Sequence, residues 1–129
     1  MKRQTGIGID HRGAFVVSID NGVETEERIE SGMEKHVRFS RGSQQEDGSA
    51  DDQRDRQYAD HLRIYYDDVI SKVRDAKSIL LVGPGEAKGE LEKRLTGRGL
   101  GGRIVGVETA DRMTVRQIAA RVRQYYQTV

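Results

Sequence analysis

The chain has no cysteine and no tryptophan, a single proline, and only two phenylalanines and five tyrosines as aromatic residues. Without cysteine it forms neither disulfides nor thiolate zinc sites, a composition that fits a reducing compartment. No apolar run approaches the roughly 20 residues that a membrane-spanning helix needs. Met1-Lys2-Arg3-Gln4-Thr5 leads straight into a strand pattern rather than into a signal-peptide core. A cytoplasmic protein without a membrane segment is expected. Charge of one sign is also lacking: 22 Lys+Arg face 21 Asp+Glu, for a net charge of +1. Affinity for nucleic acid would therefore have to come from local clusters of cations. At 129 residues, one domain covering 1–129 is expected, because that length supports one core and not two.

What is present is a clear alternation of apolar patterns. Three strands are expected at Thr5 to Ile9, Ala14 to Ile19 and Val23 to Ser31, separated by His11-Arg12-Gly13 and by Asp20-Asn21-Gly22. The Asn-Gly pair is a hairpin signal, so these strands form an antiparallel meander. The third is heavily charged, as suits a sheet edge that must discourage foreign strands. Tyr58, Leu62, Tyr66, Val69, Val73 and Ala76 recur at spacings of three and four, which predicts a helix from Asp52 to Asp75 with its tyrosines in the core. Ser78 to Val82 and Arg103 to Val107 read as buried strands, Glu86 to Leu95 as a short helix, and Thr114 to Tyr126 as an amphipathic helix.

This order predicts an α/β fold of three layers, ribonuclease-H-like, with a mixed five-stranded sheet in the order 3-2-1-4-5 and helices on both faces. Between the third strand and the long helix lies a segment without period, a long loop over 32–51.

That loop contains the basic run Lys35-His36-Val37-Arg38-Phe39-Ser40-Arg41-Gly42-Ser43-Gln44. Lys35, His36, Arg38 and Arg41 can neutralise phosphates, Gly42 lets the backbone enter a crowded site with φ > 0, and Gln44 offers a neutral donor and acceptor. The segment reads as an RNA-facing loop; a solvated connector has the same composition.

Three further constellations carry chemistry. Gly83-Pro84-Gly85-Glu86-Ala87-Lys88-Gly89-Glu90 joins a buried strand to a helix. Its amides could receive an anion, with Gly85 and Lys88 as contacts, but it lacks the Gly-Lys-Ser/Thr ending of a P-loop, and a tight turn with a helix start explains it equally. Asp10, Asp20 and Asp111 stand at or after strand ends, and Gly6-Ile7-Gly8-Ile9-Asp10 resembles ribonuclease-H-like nucleases, so a two-metal nuclease using Asp10 and Asp111 is an alternative. The fourth strand ends without a carboxylate, which disfavours it; no metal ligands are assigned. Asp111 or Thr114 would then cap the last helix. His11, His36 and His61 show no metal-ligand spacing, and His11 and His61 read as surface groups.

The whole order resembles the middle domain of eukaryotic and archaeal class-1 peptide-chain release factors and its small bacterial relatives, the translational machinery component superfamily. The features that carry the resemblance are the opening meander, Lys35-His36 leading to Arg41-Gly42-Ser43-Gln44, the long helix, and Leu80 to Leu91. The resemblance implies a translation component that contacts ribosomal or transfer RNA, in ribosome rescue or peptidyl-tRNA release. Gly42, Ser43 and Gln44 would match the catalytic Gly-Gly-Gln tip. Ser43 stands where the family has glycine, and a position requiring φ > 0 would strain serine by about 1–3 kcal/mol. Binding without catalysis is therefore the preferred expectation; an active tip would hydrolyse the peptidyl-tRNA ester on the ribosome. No cofactor is implied. The resemblance implies the ribosome or tRNA as partner, and a protein partner for other release-factor functions. A protein-binding adaptor is the remaining alternative.

Overall fold

The computed structural model describes residues 3–32 and 48–128, with side chains described for 3–32 and 56–127. Five strands, β1 (Gln4–Ile9), β2 (Gly13–Asp20), β3 (Val23–Glu30), β4 (Ser78–Gly83) and β5 (Ile104–Thr109), build one sheet in the order β3-β2-β1-β4-β5. β1 pairs antiparallel with β2 and β2 antiparallel with β3, whereas β4 runs parallel to both β1 and β5. Three helices follow: α1 (Gly48–Val73), α2 (Ala87–Gly97) and α3 (Val115–Thr128). The strand order and the two-sided covering are those predicted from the pattern.

Side chains alternate along a strand, so each face of the sheet has its own core. On one face Ile7, Ile9, Ile79 and Leu81 pack against Tyr65, Tyr66, Val69, Ile70 and Val73 of α1 and against Leu91 and Leu95 of α2. On the other, Val17 packs with Ile118, Ala119 and Val122 of α3. Tyr66 is a core residue, as expected, and Tyr65 and Ile70 join the buried set beside the predicted stripe, whereas Tyr58, expected in the core, is only half-buried.

The glycines of Gly6-Ile7-Gly8-Ile9-Asp10 belong to this second core. A Cβ at Gly6 would lie 2.2 Å from Val122 Cγ2, and one at Gly8 2.4 Å from Ile118 Cδ1. Their absence of side chains lets α3 settle onto β1, a packing demand that accounts for a pattern which resembles nuclease openings.

Two boundaries differ from expectation. α1 begins at Gly48 rather than Asp52, so the end of the predicted 32–51 loop is helical. β5 is the edge strand that the predicted order makes it, but not the buried strand that its apolar run suggested: Val105 and Val107 are 46% and 39% exposed. An apolar run reports β-strand character, while its place at the margin comes from the strand order.

Candidate functional site

The carboxyl ends of the parallel strands β1, β4 and β5 share one edge of the sheet, the usual place for sites in open α/β folds. At this edge the β1–β2 turn is held by Asp10. Its Oδ1 accepts the backbone N–H groups of Arg12 at 2.7 Å and Gly13 at 3.0 Å, and its other oxygen lies 3.5 Å from Arg112 Nε. β4 passes close beneath: a Cβ at Gly83 would lie 2.1 Å from the Ile9 carbonyl oxygen, so only glycine fits.

A polar network ties this turn to both helices on the first face. His11 Nε2 donates to Glu90 Oε1 at 3.0 Å, and the Tyr66 hydroxyl donates to the same oxygen at 2.5 Å. The neighbouring Tyr65 hydroxyl donates to the Asp10 carbonyl at 2.9 Å. Burial acts to raise the Glu90 carboxyl, but the hydrogen bonds from Tyr66 and His11 outweigh it and hold the group below the ordinary glutamate range. Burial, and then the bond to Glu90, pushes the Tyr66 phenol well above its usual value, so it stays a donor. His11 is thus no unrelated surface group. It is 79 residues from Glu90 in sequence, and nothing local announced the pairing.

Lys35, His36, Arg38, Arg41, Gly42, Ser43 and Gln44 lie outside the described residues. What surrounds them is defined. Ser31 donates its N–H to the Arg12 carbonyl at 3.0 Å and its hydroxyl to the His11 carbonyl at 2.6 Å, so the chain leaves β3 against the β1–β2 turn. Gly32, at φ +74°, redirects it in a conformation suited to glycine. The chain is next described at Gly48, where α1 starts. Leu62 is the first described α1 side chain to pack on the core, none of those at 56–61 is buried, and Tyr65 reaches Asp10 at the carboxyl edge. At roughly 1.5 Å per residue, residues 48–61 account for about 20 Å of helix on the amino-terminal side of Leu62.

The anion-site residues are packed into a turn. Lys88 is only 7% exposed, and its Nζ donates to the Gly85 carbonyl at 2.6 Å. Gly85, at φ +65°, makes the turn before α2, and Glu90 is bonded to His11 and Tyr66. This arrangement closes the loop before α2 on itself, with the ammonium spent on a backbone carbonyl.

The three aspartates are not brought together. Antiparallel pairing sets Gln4 opposite Ile19, so Asp20 stands at the end of the sheet remote from Asp10. Asp111 is exposed but lines the same open cleft at the carboxyl edge as Asp10, whereas Thr114 starts α3: its hydroxyl accepts the Gln117 N–H at 3.2 Å and the Gln117 side chain accepts the Thr114 N–H at 2.8 Å, a reciprocal cap. Among the described residues no three His, Asp or Glu side chains converge in a way that could hold a metal ion, and no helix is long and apolar enough to cross a membrane.

No protein-family model and no curated protein matches this sequence. In fold the chain is similar to the Pelota protein of Thermoplasma acidophilum, with a TM-score of 0.58 and 18% identity over 89% of this chain and 30% of that one. It is also similar to Pelota from Archaeoglobus fulgidus, with a TM-score of 0.50 and 16% identity over 99% of this chain and 37% of the other. The chain thus spans about a third of the length of these neighbours. At such identity the likeness is one of fold, and activity has to be argued from residues.

Proposed function

We propose that this chain is a translation-machinery component that contacts ribosomal or transfer RNA through Lys35, His36, Arg38 and Arg41, with Gly42-Ser43-Gln44 at the tip of the contact. One observation carries the reading. The segment that holds these residues follows β3 where Ser31 is bonded to the β1–β2 turn, and it precedes the long helix α1, whose Tyr65 reaches the same turn, a mounting suited to presenting the segment at the carboxyl edge of the sheet. The fold shared with two Pelota proteins supports the same assignment.

The chemistry follows from the residue types. Cations on the segment replace counterions on RNA phosphates, and glycine permits close approach of backbone to a crowded wall. A glutamine amide orients water by hydrogen bonding and supplies no titratable base; catalysis at such a tip consists of positioning and of dipoles aimed at the developing oxyanion. Ser43 disfavours the conformations open to glycine, so the reading is one of binding, in ribosome rescue or in company with a protein that supplies the remaining release-factor functions.

The test is a ribosome pelleting assay run beside a peptidyl-tRNA cleavage assay, with the parent and with Gln44→Ala. Pelleting of both without cleavage is the expected result. Cleavage by the parent that Gln44→Ala abolishes would turn the binding reading into a hydrolase, and absence of pelleting would discard the RNA contact.

A further inference from the structure

Beside the β1–β2 turn, on the α3 face of the sheet, an open cleft of about 90 Å³ has a lining that the turn itself does not require. Arg12, Arg28 and Arg112 stand around it, and Phe15, Val82 and Met113 give it an apolar wall. The cationic groups are unequally engaged. Arg28 pairs with Glu30 at 3.1 Å and lies 5.7 Å over the Phe15 ring. Arg112 is 64% exposed and makes one long contact with Asp10. The Arg12 guanidinium makes no hydrogen bond or ion pair with any described residue; its backbone N–H, not its side chain, serves the turn. Of the acids in the lining, Asp10 already has one oxygen filled by two N–H groups and the other facing Arg112, and Asp111 is exposed to solvent.

Guanidinium groups with spare donors next to an aromatic and apolar wall are the pairing that recognises a phosphate attached to a flat heterocycle. The planar fork takes phosphate oxygens bidentately, and a base stacks on ring or guanidinium faces whatever its sequence. A purely apolar ligand would leave the arginines unsatisfied, and a bare anion would make no use of Phe15 and Met113. We propose that this cleft binds one ribonucleotide unit, its phosphate on Arg12 and Arg112 and its base against Phe15, Met113 and the Arg28 plane. The unit is either a free nucleotide or one residue of an RNA strand. The proposal rests on the RNA-facing reading above and extends it, because the cleft shares its turn with the root of the 33–47 segment.

The test is amide NMR titration of the whole chain with uridine 5′-monophosphate, inorganic phosphate and hexauridylate. Uridine monophosphate should perturb Asp10 to Phe15, Gly83 and Arg112 to Ile118, and should bind more tightly than phosphate. Hexauridylate binding about tenfold more tightly than the mononucleotide identifies an RNA strand as the source, and equal affinity identifies the free nucleotide. Arg12→Glu and Arg112→Gln should each weaken the mononucleotide about tenfold; the first alters an exposed side chain whose backbone alone holds the turn, so folding should persist. Phosphate binding as tightly as the nucleotide, or unchanged affinity in folded Arg12→Glu, would overturn the assignment. The Lys35/Arg38/Arg41→Ala variant should keep the mononucleotide affinity while losing ribosome affinity. Ribosome binding by a parent that ignores uridine monophosphate would reject the cleft and leave the loop standing.

Discussion

A methyl group added at Gly6 would sit 2.2 Å from Val122 Cγ2, and one added at Gly83 would sit 2.1 Å from the Ile9 carbonyl oxygen. The first clash can be relieved by a shift of α3, the second only by parting two paired strands, so the two glycines differ in what replaces them. Gly6→Ala should destabilise by about 1–3 kcal/mol and Gly83→Ala by more, measured by urea unfolding with unchanged m-values. Equal costs would contradict the assigned packing. Tyr66→Phe removes a donor to a charged acceptor, and because Glu90 is partly solvated a cost of about 1.5 kcal/mol is expected. Since the folded Glu90 carboxyl titrates below its ordinary range, its contribution is complete above that range and is lost as pH falls through the folded value. The acid-side loss of stability should therefore be shallower in Tyr66→Phe than in the parent, as read from melting temperatures between neutral and acidic pH. A parallel decline in both proteins would remove Glu90 from the network.

The two edges of the sheet are guarded differently. β3 carries Glu24, Glu26, Glu27, Arg28 and Glu30 on exposed positions, which makes it unattractive to foreign strands. β5 presents Val105 and Val107, and its Glu108 is bonded to Arg121 of α3. The charge pattern of β3 announced its place directly. The apolar pattern of β5 did not, because Ile104-Val105-Gly106-Val107 looks the same whether a strand is central or marginal. Val107→Lys should change stability by no more than about 0.5 kcal/mol if β5 is an edge, whereas a central buried valine would lose several times that; thermal unfolding decides. α1 was legible from Asp52 onward, because the apolar spacing that begins at Tyr58 reflects the core. Only residues 48–51 fell within the expected loop, because Gly48-Ser49-Ala50-Asp51 carries no apolar period.

At the scale of the whole molecule the topology was readable because local signals agreed: a hairpin turn, an edge rich in charge, two apolar strand runs and amphipathic helices leave few arrangements. The network of His11, Tyr66 and Glu90 was not readable, since it joins the β1–β2 turn, α1 and α2 only after the sheet forms. The reverse holds for the proposed RNA contact, whose chemistry rests on the sequence of the Lys35 to Gln44 run and whose mounting rests on the turn at Gly32 and on α1. With a net charge of only +1, the whole chain offers no general attraction to RNA, so the ribosome contact must depend on local clusters of cations, that run first among them. The most direct measurement is ribosome affinity across a salt series for the parent and for Lys35/Arg38/Arg41→Ala. Every phosphate that a cation no longer neutralises takes roughly 0.7–0.9 off the slope of log affinity against log salt, so the variant should bind more weakly with a slope shallower by about 2 to 3. Unchanged affinity and slope in a folded variant would contradict the account.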